Sequence, residues 1–140
     1  MTIYLADKSA WEQRRTHDHV AAGFVDLLRQ GQLACCEMIA LELLYSARNL
    51  ADHGEVAAEL HAMRWMKITN TVMTRALEVQ ELLVPDGLHR RPINDLIIAA
   101  CAELNNATVL HHDRDFEIIA AVTDQPVTRA LDLWPSAPEA

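Results

Sequence analysis

Short apolar, β-leaning runs alternate along this chain with segments whose apolar residues recur every three or four positions, and that alternation limits the possible folds more than any other feature. The first run covers residues 2–6 and meets Asp7-Lys8-Ser9, with Ser9 placed to cap a helix starting near Ala10. Val20, Phe24, Leu27 and Leu28 form a helical stripe that stops at Gly31. A brief apolar run at 33–36 reads as a strand, and 38–50 reads as a helix through Ile39, Leu43, Leu44 and Ala47. Asp52 and Gly54 mark a break before a helix over 56–65, with a third strand expected at 66–69. The pattern then predicts a helix over 72–83 and a proline-bounded loop over 85–92 holding Asp86-Gly87. A helix over 93–104 is too apolar all round to lie on a surface. A strand at 108–110, a helix at 115–122 and a last short strand after Pro126 complete the series.

Strands separated by helices imply parallel βαβ units, with helices covering both faces of one sheet. At 140 residues one domain is the default, able to bury roughly two-thirds of its unfolded surface. A hydrophobic share of 51% against 23% charged excludes a disordered chain. No apolar run approaches the ~20 residues a membrane helix needs, and the start MTIYLADKSAW lacks the basic and long apolar parts of a signal peptide. A cytoplasmic domain is the expectation. Cys35, Cys36 and Cys101, odd in number and without CxxC spacing, read as small buried hydrophobes.

In parallel α/β sheets, ligands bind beyond the carboxyl ends of the strands. Asp7 follows the first strand directly, and Asp113 comes just after Thr108-Val109-Leu110-His111-His112. Asp95 opens the apolar helix, and Glu42 lies among Ile39, Leu43 and Leu44. Taken singly, each acid also has an ordinary reading. Asp7 can cap the first helix, Asp95 and Asp113 suit helix N-termini, and Glu42 can pair with Arg48 or another base. Converging in one cleft they would repel, two unit charges ~4 Å apart costing about 4 kcal/mol at an effective dielectric of ~20. A divalent cation with a preference for oxygen ligands makes such a cluster physically sensible.

The set Asp7-x-Ser9, Glu42 in LELLYSAR, Asp95 in NDLIIAACAE and Asp113-x-Asp115-Phe116 resembles the PIN-domain proteins, specifically the VapC toxins of bacterial toxin–antitoxin pairs. The likeness runs from residue 3 to about residue 122 in the family's order and spacing. It implies a three-layer α/β PIN-like fold, with a short, mostly parallel central sheet flanked by helices, as one domain over residues 1–140. It further implies a Mg²⁺- or Mn²⁺-dependent endoribonuclease, held in check by a cognate VapB-type antitoxin and forming a homodimer. Carried across by position, Asp7, Glu42, Asp95 and Asp113 match the family's acids and Asp115 the second acid of its DxDF pattern. Ser9 matches its hydroxyl residue. Lys8 departs from the threonine common in relatives and is a candidate phosphate contact.

The densest basic cluster, His89-Arg90-Arg91, precedes Asp95, and Arg14 and Arg15 follow the first strand. These four arginines are the candidates for holding an RNA backbone. Trp11 and Tyr4 offer stacking faces but read first as core, and His111-His112 reads as core or surface histidine because neighbours at a strand end face opposite ways. Other α/β readings fit poorly. A phosphoacceptor receiver wants an Asp ending a middle strand, where Glu37 follows Cys36, and a late lysine, where the last is Lys67. An aspartyl-nucleophile phosphatase wants DxD, which Asp7-Lys8-Ser9 breaks. A catalytically inert PIN-fold binding module is the remaining alternative.

The net charge of −8 argues against an RNA partner only if the acids are spread out. Setting Asp7, Glu42, Asp95 and Asp113 aside leaves 16 acids against 12 bases, so −8 becomes −4. RNA binding is then expected to be local and to depend on a small basic rim.

Overall fold

The computed structural model describes residues 1–136; the last four residues of the expected 1–140 domain lie outside the described residues. The chain runs β1 (Tyr4–Ala6), α1 (Lys8–Gln13), α2 (Asp18–Arg29), β2 (Leu33–Cys35), α3 (Glu37–Tyr45), α4 (Leu50–His61), β3 (Arg64–Trp65) and α5 (Asn70–Leu83). A 3₁₀ turn (Val84–Asp86) leads to α6 (Ile93–Leu104), β4 (Thr108–His111), α7 (Arg114–Thr123), β5 (Val127–Arg129) and α8 (Ala130–Leu133). The strands pair in the order β3-β2-β1-β4-β5, every pairing parallel, as the alternation predicted.

That order matters for function. The chain builds outward from β1 through β2 to β3, then crosses back to place β4 on the other side of β1. The direction of winding therefore reverses between β1 and β4, and such a switch point opens a crevice at the strands' carboxyl ends. Leu5 pairs with Val109 and Ala6 with Leu110, so the residues just beyond these two strands emerge side by side.

Apolar burial fixes the frame around that crevice. Leu5, Leu33, Val109 and Leu110 are buried in the sheet, and Ile39, Val79, Leu83, Ile98, Phe116 and Ile119 pack on it from the helices. Every residue from Leu96 to Ala102 of α6 is buried, which explains why that helix is apolar all round. A bidentate pair from Arg75 to Glu103, at 2.6 and 3.1 Å, ties α5 to the far end of α6. Trp11 is core: it packs on Phe24 at 4.7 Å and donates its indole N–H to the Ala6 carbonyl at 3.1 Å. The three cysteines are free and buried.

Several expected boundaries move, each for a local reason. Asp7, not Ser9, caps the first helix, so α1 begins at Lys8 rather than near Ala10. The helix expected to reach residue 50 ends at Tyr45, because Asn49 takes an extended backbone and caps a new helix by accepting from the Asp52 N–H at 2.9 Å. Gly54 is consequently inside α4 and not a break; its position is open to solvent and tolerates the propensity cost of about 1 kcal/mol. The third strand is Arg64–Trp65 instead of 66–69, since Met66 makes the last ladder contact, to the Cys35 carbonyl at 2.9 Å, and Thr69 turns away to cap α5. Helix α8, which carries no strong sequence signal, brings Trp134 onto α2.

At Gly23 of α2 a β-carbon would fall inside the Trp134 indole, so only glycine permits that approach. Gly23→Ala is expected to cost about 1–3 kcal/mol through overpacking. A lowered urea midpoint with unchanged m-value is the readout, and an unshifted midpoint contradicts the packing described.

Candidate metal centre

The crevice between β1 and β4 is where the acids gather. Asp7, immediately after β1, is only 4% exposed. Its Oδ2 accepts both the Ser9 backbone N–H at 3.0 Å and the Ser9 hydroxyl at 2.6 Å. Its Oδ1 is buried with no protein partner among the described residues. Burial raises the Asp7 carboxyl above the usual range, with Glu42 adding to the rise and the Ser9 donors opposing it. Ser9 also accepts the His112 backbone N–H at 2.9 Å, stitching the end of β1 to the end of β4. This hydroxyl is thus engaged on both sides.

Asp95 sits in the first turn of α6 and is also 4% exposed, with no side-chain capping bond at that helix start. Burial pushes its carboxyl up to about 8, reinforced by Asp7, Asp113, Asp115 and Glu42. Asp113 caps α7, its Oδ1 accepting from the Asp115 N–H at 2.9 Å, and its own N–H donates to His111 Nδ1 at 3.1 Å. Carboxylate oxygens of Asp95, Asp113 and Asp115 lie within 4.8 Å of one another. Glu42 reaches in from α3 and accepts from Asn94 Nδ2 at 2.7 Å, so its partner is Asn94 and not Arg48, which pairs with Asp52.

Asp95, Asp113 and Asp115 thus form a compact oxygen set that suits a divalent cation, with Asp7 and Glu42 close enough to Asp95 to act on its charge but outside that set. The orphaned Asp7 Oδ1 is the second indication: a buried carboxylate oxygen without a donor is costly unless a cation or water faces it. The expected basic rim divides. Arg91 pairs with Asp115 at 2.6 Å inside the site, while Arg90 is exposed beside it. Arg14 is bound to Glu59 at 2.6 Å and stacked on Trp11 at 4.4 Å, and Arg15 is exposed. Both line a cleft with Lys8, Leu43, Ser46 and Val56. Lys8 Nζ donates to Ser46 Oγ at 3.1 Å, joining the start of α1 to the end of α3. His111 is fully buried and held below its usual pKa chiefly by that burial, as befits a core histidine. Asn94 was not singled out in the sequence; its position directly before Asp95, opposite a half-buried Glu42 that needs a donor, is the signal that finds it.

The chain is similar to known proteins over most of its length. The family model described as PIN domain matches residues 4–122. Ribonuclease VapC21 of Mycobacterium tuberculosis is 43% identical over 129 residues, covering 90% of this chain and 92% of that protein. Ribonuclease VapC18 of the same species is 36% identical over 127 residues, covering 89% and 92%. Among solved structures, VapBC2 from Rickettsia felis, bound to a DNA fragment from its promoter, superposes with a TM-score of 0.75 at 17% identity, covering 91% of this chain and 98% of that one. That likeness is one of fold.

A carboxyl raised toward 8 binds its proton more tightly in the folded protein than in the unfolded one. Between about pH 4 and pH 8 the unfolded chain has released that proton while the folded chain still holds it, so Asp95 lowers stability progressively as pH rises through this window. In chelator-treated protein, Asp95→Asn is expected to raise the melting temperature clearly at pH 8 and little at pH 5. An equal change at both pH values contradicts the crowding.

Proposed function

The chain belongs to the PIN-domain family, and from that premise we propose that it is a metal-dependent endoribonuclease toxin of the VapC type, the whole of residues 1–140 acting as one domain. The observation that carries the reading is the convergence of Asp95, Asp113 and Asp115 at the switch point, with Asp7 and Glu42 beside them and one buried Asp7 oxygen unpartnered. Asp95, Asp113 and Asp115 would hold Mg²⁺ or Mn²⁺ together with Asp7, with Glu42 at the edge of the set. A cation bound there supplies charge to a phosphodiester oxygen and acidity to an attacking water.

The protein's own groups prepare that chemistry. Ser9 donates twice to one oxygen of Asp7 and leaves the other without a partner. Asn94 fixes Glu42 by one oxygen and leaves the second without a protein donor among the described residues. Asp113 is fixed by capping α7. Arg90 and Arg91 contact the RNA backbone beside the acids, with Lys8, Arg14 and Arg15 placed along the adjoining cleft. Phosphate binding is accordingly confined to a few arginines rather than a broad basic face.

The solved structures with this fold include VapBC complexes, which supports a VapB-type antitoxin as partner. A homodimer is the second proposed association. Exposed Leu41, Tyr45 and Leu50 around the α3–α4 turn, and Met73, Leu77 and Ile93 on α5 and α6, offer apolar surface for these contacts. Among the described residues no helix is long and apolar enough to cross a membrane, and the proposed place of action is the cytoplasm, where the RNA is.

Purified protein is expected to cut RNA with Mg²⁺ or Mn²⁺ and to lose at least about 100-fold in rate on Asp7→Asn or Asp95→Asn, a few kcal/mol of transition-state stabilisation. Expression without antitoxin is expected to arrest growth, relieved by Asp7→Asn. Undiminished cleavage by both variants would sink the assignment, and wild-type protein that cuts no RNA with either metal would favour the inert binding module.

A further inference from the structure

One basic side chain stands among the acids rather than beside them. Arg91 Nη1 donates to Asp115 Oδ1 at 2.6 Å, and each of these side chains is 19% exposed. Arg91 Nε donates to the Leu88 carbonyl at 3.1 Å. The guanidinium is therefore anchored at two points, by a carboxylate of the cluster and by the loop that precedes α6. Nη2 makes no hydrogen bond among the described residues, which leaves one edge of the fork unused. Asp115 is at once Arg91's partner and a member of the oxygen cluster formed with Asp95 and Asp113.

We propose that Arg91 is the built-in counter-cation of this site, competing with the divalent metal for Asp115 and presenting its free Nη2 edge to the phosphate of the RNA. The inference rests on the functional reading above and deepens it. A fixed positive charge beside the cluster opposes entry of a second positive charge, so Arg91 weakens metal binding. The same charge, delivered as a fork on a braced side chain, favours a phosphodiester with its negative oxygens. Arg91 thus moves the two quantities in opposite directions. A residue that merely braced the loop would move them together, since its loss would loosen both the acids and the substrate.

Arg91→Gln keeps a hydrogen-bond donor near Asp115 and removes the charge; Arg91→Lys keeps the charge and removes the fork. Binding of Mn²⁺ alone is read from the free-ion electron paramagnetic resonance signal, and RNA cleavage is measured at saturating Mn²⁺. The expected result is Mn²⁺ binding at least tenfold tighter in Arg91→Gln, with cleavage at least tenfold slower, and Mn²⁺ binding within about threefold of wild type in Arg91→Lys. Circular dichroism of the metal-free variants checks that the fold is kept. Mn²⁺ binding by Arg91→Gln that is unchanged or weaker overturns the proposal, as does cleavage at the wild-type rate. Wild-type protein that takes up no Mn²⁺ and cuts no RNA brings down the functional reading and this inference with it. Wild type that does both, with Arg91→Gln binding no more tightly, overturns only the role given to Arg91.

Discussion

Like-charge crowding at the carboxyl ends of β1 and β4 is the constraint around which the rest of this molecule is arranged. Two unit charges ~4 Å apart cost about 4 kcal/mol at an effective dielectric of ~20, and here five acids face one crevice. Folding meets that cost with a different device for each acid. Asp95, buried with four other acids acting on it, stays protonated to higher pH than an ordinary carboxyl. Asp7 takes two donors from Ser9. Glu42 takes an amide N–H from Asn94, Asp113 takes the first turn of α7, and Asp115 takes one N–H of the Arg91 guanidinium. None of these partners neutralises Asp7 Oδ1. The pattern is that of a site held partly uncompensated, which is where a divalent cation gains most.

Keeping such a cluster together requires the hydrophobic core beneath it to be rigid. Asp7 and Asp113 hang from adjacent central strands whose side chains are buried on both faces, and Asp95 from a helix buried along most of its length. Close packing of this kind transmits strain instead of absorbing it, so the acids cannot drift apart to relieve their repulsion. The Ser9 hydroxyl adds a direct stitch between the two strand ends. Its contribution to the site is consequently geometric as well as electrostatic, since loss of that one oxygen would leave Asp7 held only by the Ser9 backbone N–H and the His112 N–H without its acceptor.

Much of this was legible in the sequence, and what was not has definable causes. The parallel sheet follows from short apolar runs between helical stripes, and the five acids follow from strand-end placement and the PIN-like motif order. Glu42 was recognisable as needing a partner because of its apolar neighbours, yet the partner lies 52 residues away on another helix, and no local periodicity encodes that distance. The α3–α4 break was missed because apolar spacing carries on across residues 46–49, whereas the deciding event is a single Asn49 capping bond. The same blindness to long-range pairing hid the commitments of Arg14 to Glu59 and of Arg91 to Asp115. A list of arginines near a cleft does not say which charges have already been spent.

That distinction changes what the net charge means. The acidity of −8 was reconciled with RNA by assigning four acids to a metal, leaving a −4 surface served by a small basic rim. The ion pairs reduce the rim further. Arg14 is occupied with Glu59, Arg75 with Glu78 and Glu103, Arg48 with Asp52, and Arg129 with Glu117. Of the arginines expected to meet RNA, Arg90 and Arg15 are exposed, and Arg91 is braced inside the site. A net charge of −8 disfavours long-range attraction of a polyanion, and under the proposed function recognition would fall to contacts made within the crevice, where screening by salt is least. Under the proposed function a nuclease built this way would depend on few phosphate contacts, and the one cation braced among its acids would change both what it binds and how fast it cuts.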